Sequence, residues 1–234
     1  MNHKPAIGVL LLDTQPTQGK EPHVRDIPGT LGSDQTFAFP LIRAVVPGAT
    51  PDRVMAGDLK LLPQVIPVAQ ELERQGVKGI TSNCGFMSLY QQEVAQAVSV
   101  PVFLSSLLIV PLVYRLLRKE QKVAILTMDS HSLAEKHFTA AGWSSRKIPL
   151  VVAGMEGLAS WTDIARRTQS VAPKMGQDLA RLAGELVCSH PEIGALVLEC
   201  TLMPPHASAI REAAGRPVFD INTLTSMVYQ ALTG

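Results

Sequence analysis

The sequence repeats itself, and that constrains the fold more than any other feature. Residues 6–14, an apolar run ending in Asp13 and a hydroxyl residue, resemble residues 122–130, which end in Asp129 and Ser130. Asp13 and Asp129 lie 116 positions apart. So do Cys84 and Cys200, which close residues 80–84 and 196–200, and so do Pro101 and Pro217, which open two Pro-Val-Phe tripeptides. Apolar likeness alone would prove little, because buried strands of β/α units reuse Val, Ile and Leu. The matched Asp and Cys decide for a duplication, and a repeat of this length makes two copies of one unit the expected architecture. Between these anchors the register drifts: Val45-Val46-Pro47-Gly48 pairs best with Val151-Val152-Ala153-Gly154, an offset of 106, so the halves have diverged with insertions.

Within each half, buried runs alternate with amphipathic segments. Residues 58–75 carry Leu62, Val65, Ile66, Ala69 and Leu72 at the spacing of one helical face, and Gly76 supplies a stop. Pro63 and Pro67 predict an irregular start. The second half answers with Leu179, Leu182, Ala183, Leu186 and Val187, closed by His190-Pro191. A strand follows each helix directly. That order predicts an α/β fold of parallel sheets, in which ligands gather at the C-terminal ends of the strands. Asp13, Cys84, Asp129 and Cys200 all fall at such ends.

Composition narrows the partners. Lys and Arg (21) balance Asp and Glu (20), which leaves no electrostatic footprint for nucleic acid or anionic lipid, and 5% aromatics offer few stacking platforms. The expected partner is a small molecule, with no nucleic acid and no membrane. Residues 94–114 carry no charge, but Pro101, Pro111 and Ser105-Ser106 divide them into strand, turn and helix rather than a membrane span. The apolar run before Asp13 is short and lacks a small-residue cleavage site, so it reads as a strand, not a signal peptide. Three cysteines without C-x-x-C make neither a disulfide framework nor a zinc finger, and free thiols point to a cytoplasmic setting. The six histidines show neither H-x-H nor H-E-x-x-H, and no G-x-G-x-x-G, Walker loop or G-x-S-x-G occurs. No metal and no cofactor are expected.

A cysteine that closes a strand and opens a helix meets backbone N–H groups and a helix dipole, which lower a thiol pKa from ~8.5 toward neutrality. The same N–H groups can hold a carboxylate. Two such thiols related by a repeat suit one reaction: one thiolate removes a proton beside a carboxylate, and the other thiol returns a proton to the opposite face. That is two-base racemisation or epimerisation.

Asp13-Thr14, Ser82-Asn83-Cys84-Gly85-Phe86 and Glu199-Cys200-Thr201, on a duplicated α/β chain of this length, resemble the aspartate/glutamate/hydantoin racemase superfamily. The resemblance spans nearly the whole chain. It implies two pseudo-symmetric domains with the active site in the interdomain cleft, cofactor-independent catalysis by Cys84 and Cys200, and frequent dimers, so that a homodimer is one possible assembly and the oligomeric state stays open. It also implies that the last helix, residues 222–232, crosses back to the first domain, so the domains run 1–106 plus 222–234, and 107–221. Related arylmalonate decarboxylases keep one catalytic Cys and maleate cis-trans isomerases keep two. Glutamate racemases carry Asp-Ser-Gly, Cys-Asn-Thr and Cys-Thr-His where this chain has Gln15, Gly85-Phe86 and Leu202 at the changed positions. The substrate expected is therefore a small carboxylate, an acidic amino acid or related carbon acid, without glutamate being singled out.

Around the thiols, Thr14, Ser82, Asn83, Thr127 and Thr201 are candidate donors to a carboxylate or enolate oxygen, and Gly85 lets the backbone approach a ligand. Asp13 orients Cys84 or binds an ammonium group, unless it is an ordinary turn residue. Residues 15–32, rich in Gly, Pro and charge, read as a lid from which Arg25 reaches a carboxylate with its guanidinium fork. Asp129 reads as a cap, Cys188 as a packing residue, and His206 either tunes Cys200 or stands at the surface. Two other classes stay open. A cysteine hydrolase is suggested by Leu12-Asp13-Thr14-Gln15, which faintly resembles isochorismatase-like amidases, and a catalytically inactive acid-binding protein by the substitutions named above.

Overall fold

A computed structural model describes residues 6–14, 27–160 and 172–233. The chain divides into two compact units, Met1–Ser105 with Asn222–Gly234, and Ser106–Ile221. In the first, β1 (Ile7–Leu11), β2 (Leu41–Val45), β3 (Gly79–Ser82) and β4 (Val102–Phe103) form a parallel sheet in the order β2-β1-β3-β4. In the second, β5 (Lys122–Thr127), β6 (Leu150–Gly154), β7 (Ile193–Leu198) and β8 (Val218–Phe219) form another, β6-β5-β7-β8. The described helices are α1 (Pro51–Ala56), α2 (Leu62–Arg74), α3 (Gln91–Ala97), α4 (Val110–Arg115), α5 (Glu135–Ala140), α6 (Ala172–Ser189), α7 (Ala207–Ala214) and α8 (Ile221–Thr233).

The duplication extends to strand register. Ile7 faces Gly79 as Val123 faces Ala195, and Ile80 faces Val102 as Leu196 faces Val218, each residue recurring 116 positions on. The outer strands differ. Ile7 faces Leu41 whereas Val123 faces Leu150, which sets the offset there at 109 and corrects the 106 expected from the valines. Backbone turns, not side-chain likeness, mark the true match: Val46 N–H bonds the Leu11 carbonyl as Met155 N–H bonds that of Thr127, and Gly48 and Gly157 follow at φ 72° and 84°. Only a residue without Cβ sits easily at such angles.

Local chemistry explains the layers. Every residue of β1 is buried, as a parallel strand covered on both faces requires. Helix α2 buries Val65, Ala69 and Leu72, the expected face, behind a 3-10 turn Leu59–Leu61 that absorbs the proline-rich start. Gly76, at φ 86°, ends it. A Cβ at Gly8 would lie 3.2 Å from the Leu72 and Val77 side chains, so this glycine lets α2 settle closely on β1. In the second unit, Leu179 and Ala183 of α6 pack with Leu196 and Leu198 of β7 and with Ile210 and Ala214 of α7. Each fully buried leucine there contributes roughly 1.5–3 kcal/mol of apolar burial.

Residues 94–114 become the end of α3, β4, a 3-10 turn Ser106–Ile109 and α4. Among the described residues no helix is long and apolar enough to cross a membrane. The Ser106 hydroxyl donates to the Leu198 carbonyl at 2.7 Å and the Trp143 indole to the Leu107 carbonyl at 2.9 Å, which fastens that turn to the second unit. Helix α8 belongs to the first: Asn222 Nδ2 donates to the Gly29 carbonyl at 2.7 Å, and Tyr229 stacks on Phe39 with ring centroids 3.7 Å apart. One expectation fails. Cys188 is exposed rather than packed, because α6 turns the Leu179 and Ala183 side inward, with Leu186 and Val187 against the core in its last turn, and Cys188 falls off that face.

Candidate active site

The first strand end collects six of the candidate residues. Past β1, Asp13 Oδ2 accepts the Gly48 N–H at 2.8 Å, which closes the turn after β2, and half-buried Thr14 follows. Past β3, the Asn83 N–H bonds the Leu10 carbonyl and its Oδ1 accepts the Leu12 N–H at 2.9 Å, so this side chain braces β3 against β1. The Ser82 hydroxyl is buried and donates toward the carbonyls of Leu104 (2.6 Å) and Cys84 (2.9 Å). It holds the strand end together. Cys84 is half-buried in extended backbone (φ −151°, ψ 120°) and Gly85 opens the 3-10 turn Gly85–Tyr90. Helix α3 begins only after that turn, so the thiol sits at a 3-10 start instead of the α-helix start expected.

Tyr90 went unremarked in the sequence, where it is one more member of an apolar stretch. Its hydroxyl donates to the Asp58 carbonyl at 3.0 Å. Burial, with added repulsion from Asp58 and Cys84, pushes its phenol up to about 12. It stays protonated in any ordinary buffer.

The second strand end mirrors the first with different side chains. Cys200 lies two residues past β7, as Cys84 lies two past β3. It is buried, and the Leu202 N–H points at its Sγ from 3.5 Å, a contact that favours a thiolate. Thr201 is buried beside it. Pro204 and Pro205 start a 3-10 turn, Pro204–His206, ahead of α7, so here too the thiol precedes a short turn. Thr127, at the end of β5, is buried and donates its hydroxyl to Glu199 Oε2 at 2.8 Å. Burial holds the Glu199 carboxyl up at about 7 against the opposing pull of that bond.

Other candidates find plainer places. Asp129 accepts the His131 N–H at 3.0 Å and the Ser132 hydroxyl at 2.6 Å, which ties a turn together rather than capping a helix as expected, because α5 starts later with Ala134 at its N-cap. Burial alone would raise its carboxyl, but the bonds from Ser132 and His131 outweigh it and hold it below the usual range. His206 is half-buried against α6, where a Cβ on Gly176 would come within 2.8 Å of its Nδ1, and burial lowers its imidazole pKa. Arg25 and residues 15–26 of the expected lid lie outside the described residues. The described remainder is fastened down: Thr30 and Leu31 are buried and the Leu31 carbonyl accepts Arg43 Nε at 2.8 Å. Among the described residues, Asp129, His131 and Glu156 bring ligand atoms within 4.8 Å of one another. Hydrogen bonds from Ser130, Ser132 and backbone N–H groups already occupy both carboxylates.

Comparison with known proteins gives this geometry a lineage. Dimethylsulfoniopropionate lyase of Durusdinium sp. clade D is 30% identical over 223 residues, covering 92% of this chain and 71% of that protein. The chain belongs to the dimethylsulfoniopropionate lyase family. Dimethylsulfoniopropionate lyase 3 of Emiliania huxleyi is also 30% identical, over 97% of this chain, which spans 60% of that longer relative. No family model matches the chain. Among solved structures, arylmalonate decarboxylase superposes with a TM-score of 0.62 at 15% identity over 98% of this chain and 93% of that one. The aspartate racemase of Picrophilus torridus does so with 0.57 at 15% identity, covering 97% and 92%. A glutamate racemase of Bacillus anthracis gives 0.59 at 14%, covering 98% and 83%. This lyase family therefore has the α/β fold of the cofactor-independent racemases and decarboxylases, as the sequence resemblance implied.

Proposed function

We propose that this chain is a cofactor-independent enzyme that removes a proton from the carbon beside the carboxylate of a small acid, and that it completes the reaction as a lyase on dimethylsulfoniopropionate. The observation that carries the reading is the equivalent placement of Cys84 and Cys200, each two residues past a paired strand end, in a chain 30% identical to a named lyase. The chemistry follows from the substrate. A thiolate takes a proton from the carbon next to the carboxylate, and the electron pair left behind forms the carbon–carbon double bond. The bond from the β-carbon to the sulfonium breaks, and its pair leaves with sulfur. Dimethyl sulfide and acrylate result, and the thiol returns its proton to solvent. Cys200, which receives the Leu202 N–H, is the proposed base. Cys84 is the proposed partner thiol. Thr14, Thr201 and Arg25 are the proposed carboxylate contacts.

The test is the purified chain with dimethylsulfoniopropionate, dimethyl sulfide being read by headspace gas chromatography and acrylate by liquid chromatography. Both products are expected in equal amounts, and Cys84→Ala and Cys200→Ala should each lower the rate by ~100-fold or more. A second reading, racemisation of a small acid, is favoured by the fold shared with aspartate and glutamate racemases. It predicts no dimethyl sulfide, deuterium uptake from D2O and decay of optical rotation, with single cysteine variants exchanging only one enantiomer each. A trapped acyl adduct would instead select hydrolysis.

A further inference from the structure

The repeat pairs Glu199 with Asn83, each the residue just before a cysteine and 116 positions apart. Their backbones do the same thing: Asn83 N–H bonds the Leu10 carbonyl and Glu199 N–H bonds the Leu126 carbonyl. Their side chains both reach back to the central strand of the sheet. Asn83 Oδ1 takes the Leu12 N–H, and Glu199 Oε2 takes the Thr127 hydroxyl. An amide does this as a neutral group whatever the pH, whereas a carboxyl is neutral only when protonated. Glu199 is 1% exposed, and its Oε1 has no hydrogen-bond partner among the described residues. A buried oxygen left in that state is costly for an acid and far more so for an anion.

We propose that Glu199 is a positioning residue for Cys200, bracing the end of β7 to β5 as a neutral carboxyl group and coupling the reactivity of the thiol to the proton it holds. The proposal deepens the proposed function and rests on its assignment of Cys200. Among the described residues the Thr127 hydroxyl on β5 is the one donor the carboxyl receives, and the packed turn Ser106–Ile109 presents Ser106 to the neighbouring Leu198 carbonyl instead. Burial and the Thr127 hydroxyl are the influences acting on its proton, and Cys200 is its neighbour in the chain. Burial pushes the carboxyl up to about 7. When it ionises, the brace from β7 to β5 carries a negative charge on the residue next to Cys200 in the chain, and a nearby like charge disfavours a thiolate.

The experiment needs no turnover, so it separates failure of this proposal from failure of the proposed reaction. In a Cys188→Ser background, the iodoacetamide rate at Cys200 is measured relative to Cys84 in the same molecule, by peptide mass spectrometry, between about pH 5.5 and pH 8.5. The wild-type ratio should fall about threefold or more as pH rises through 7. Glu199→Gln, which keeps an oxygen for Thr127 but no titrating proton, should match the wild-type ratio near pH 5.5 and exceed it about threefold or more by pH 8.5. Glu199→Ala should alter the ratio at every pH, with the Cys84 rate unchanged. The same pH-dependent ratio in wild type and Glu199→Gln, a normal ratio in Glu199→Ala, or a Glu199→Gln chain that does not fold would each overturn the proposal. A Cys200 inert at every pH in all variants would overturn it together with the assignment of Cys200 as the base.

Discussion

The three cysteines differ in what surrounds them: Cys188 is exposed, Cys84 half-buried and Cys200 buried with an N–H on its sulfur. Alkylation therefore reports access before it reports chemistry. Iodoacetamide should label Cys188 first in the wild-type chain with activity intact. In Cys188→Ser, inactivation should track labelling of Cys84 or Cys200 and slow in the presence of substrate, read by peptide mass spectrometry alongside the activity assay. Activity lost in step with Cys188 labelling alone would contradict both assignments. Residue identity was legible here and residue environment was not. Cys84 and Cys200 announced themselves by spacing. The exposure of Cys188 depended on the rotation of α6 about its axis, which a face of five apolar residues defines only to within one or two positions.

At the level of elements, the strand ends are held by side chains that read in the sequence as ligand donors. Ser82, Asn83, Asp13 and Thr127 each make a bond to another part of their own sheet or the turn beside it. A short polar side chain after a strand serves a substrate or a neighbouring strand equally well, and the sequence carries no sign of which. Ser82→Ala tests the structural share. It leaves the Leu104 and Cys84 carbonyls without their donor and should cost about 1–3 kcal/mol, seen as a lower urea midpoint at unchanged slope. An unchanged midpoint would mean the hydroxyl is dispensable to the strand end. Helix α2 shows the reverse case. Its buried face, its irregular start and its glycine stop were all legible, because periodicity, proline and a positive φ are local properties.

Across the molecule, two buried titratable groups pull stability in opposite directions. His137 in α5 is fully buried, and burial, against the opposing Ala134 backbone bond, lowers it to about 4. The unfolded chain then takes up that proton first as pH falls, so the stability held above its ordinary value near 6.5 is lost on the way down to 4. Glu199, raised to about 7 from an ordinary 4.5, does the opposite: its contribution is complete below 4.5 and is lost as pH rises through 7. Each is worth up to about 3 kcal/mol by linkage. Asp129 and Asp178, held below the ordinary carboxylate value, give up their share only at more acid pH. Urea midpoints of wild type and Glu199→Gln should coincide near pH 4.5 and separate in favour of the variant by pH 8. As pH falls from about 6.5 to 4.5 the variant should weaken through His137, whereas the wild type should change less because the returning Glu199 contribution offsets that loss. A gap that does not change with pH would refute the linkage.

The amino-acid sequence by itself determined the duplication, the alternation of buried strands with amphipathic helices, and hence two parallel α/β sheets with a cysteine past the third strand of each. These follow from spacing, and spacing survives divergence. The outer-strand offset of 109, the 3-10 turns after the thiols and the inward bonds of Ser82 and Thr127 were decided only by tertiary structure. The protonation of Glu199 belongs with them. Its carboxyl is an ordinary acid in the chain, and it becomes a nearly neutral-pH one only when folding removes water from both oxygens, a rise that the single bond from Thr127 opposes without cancelling.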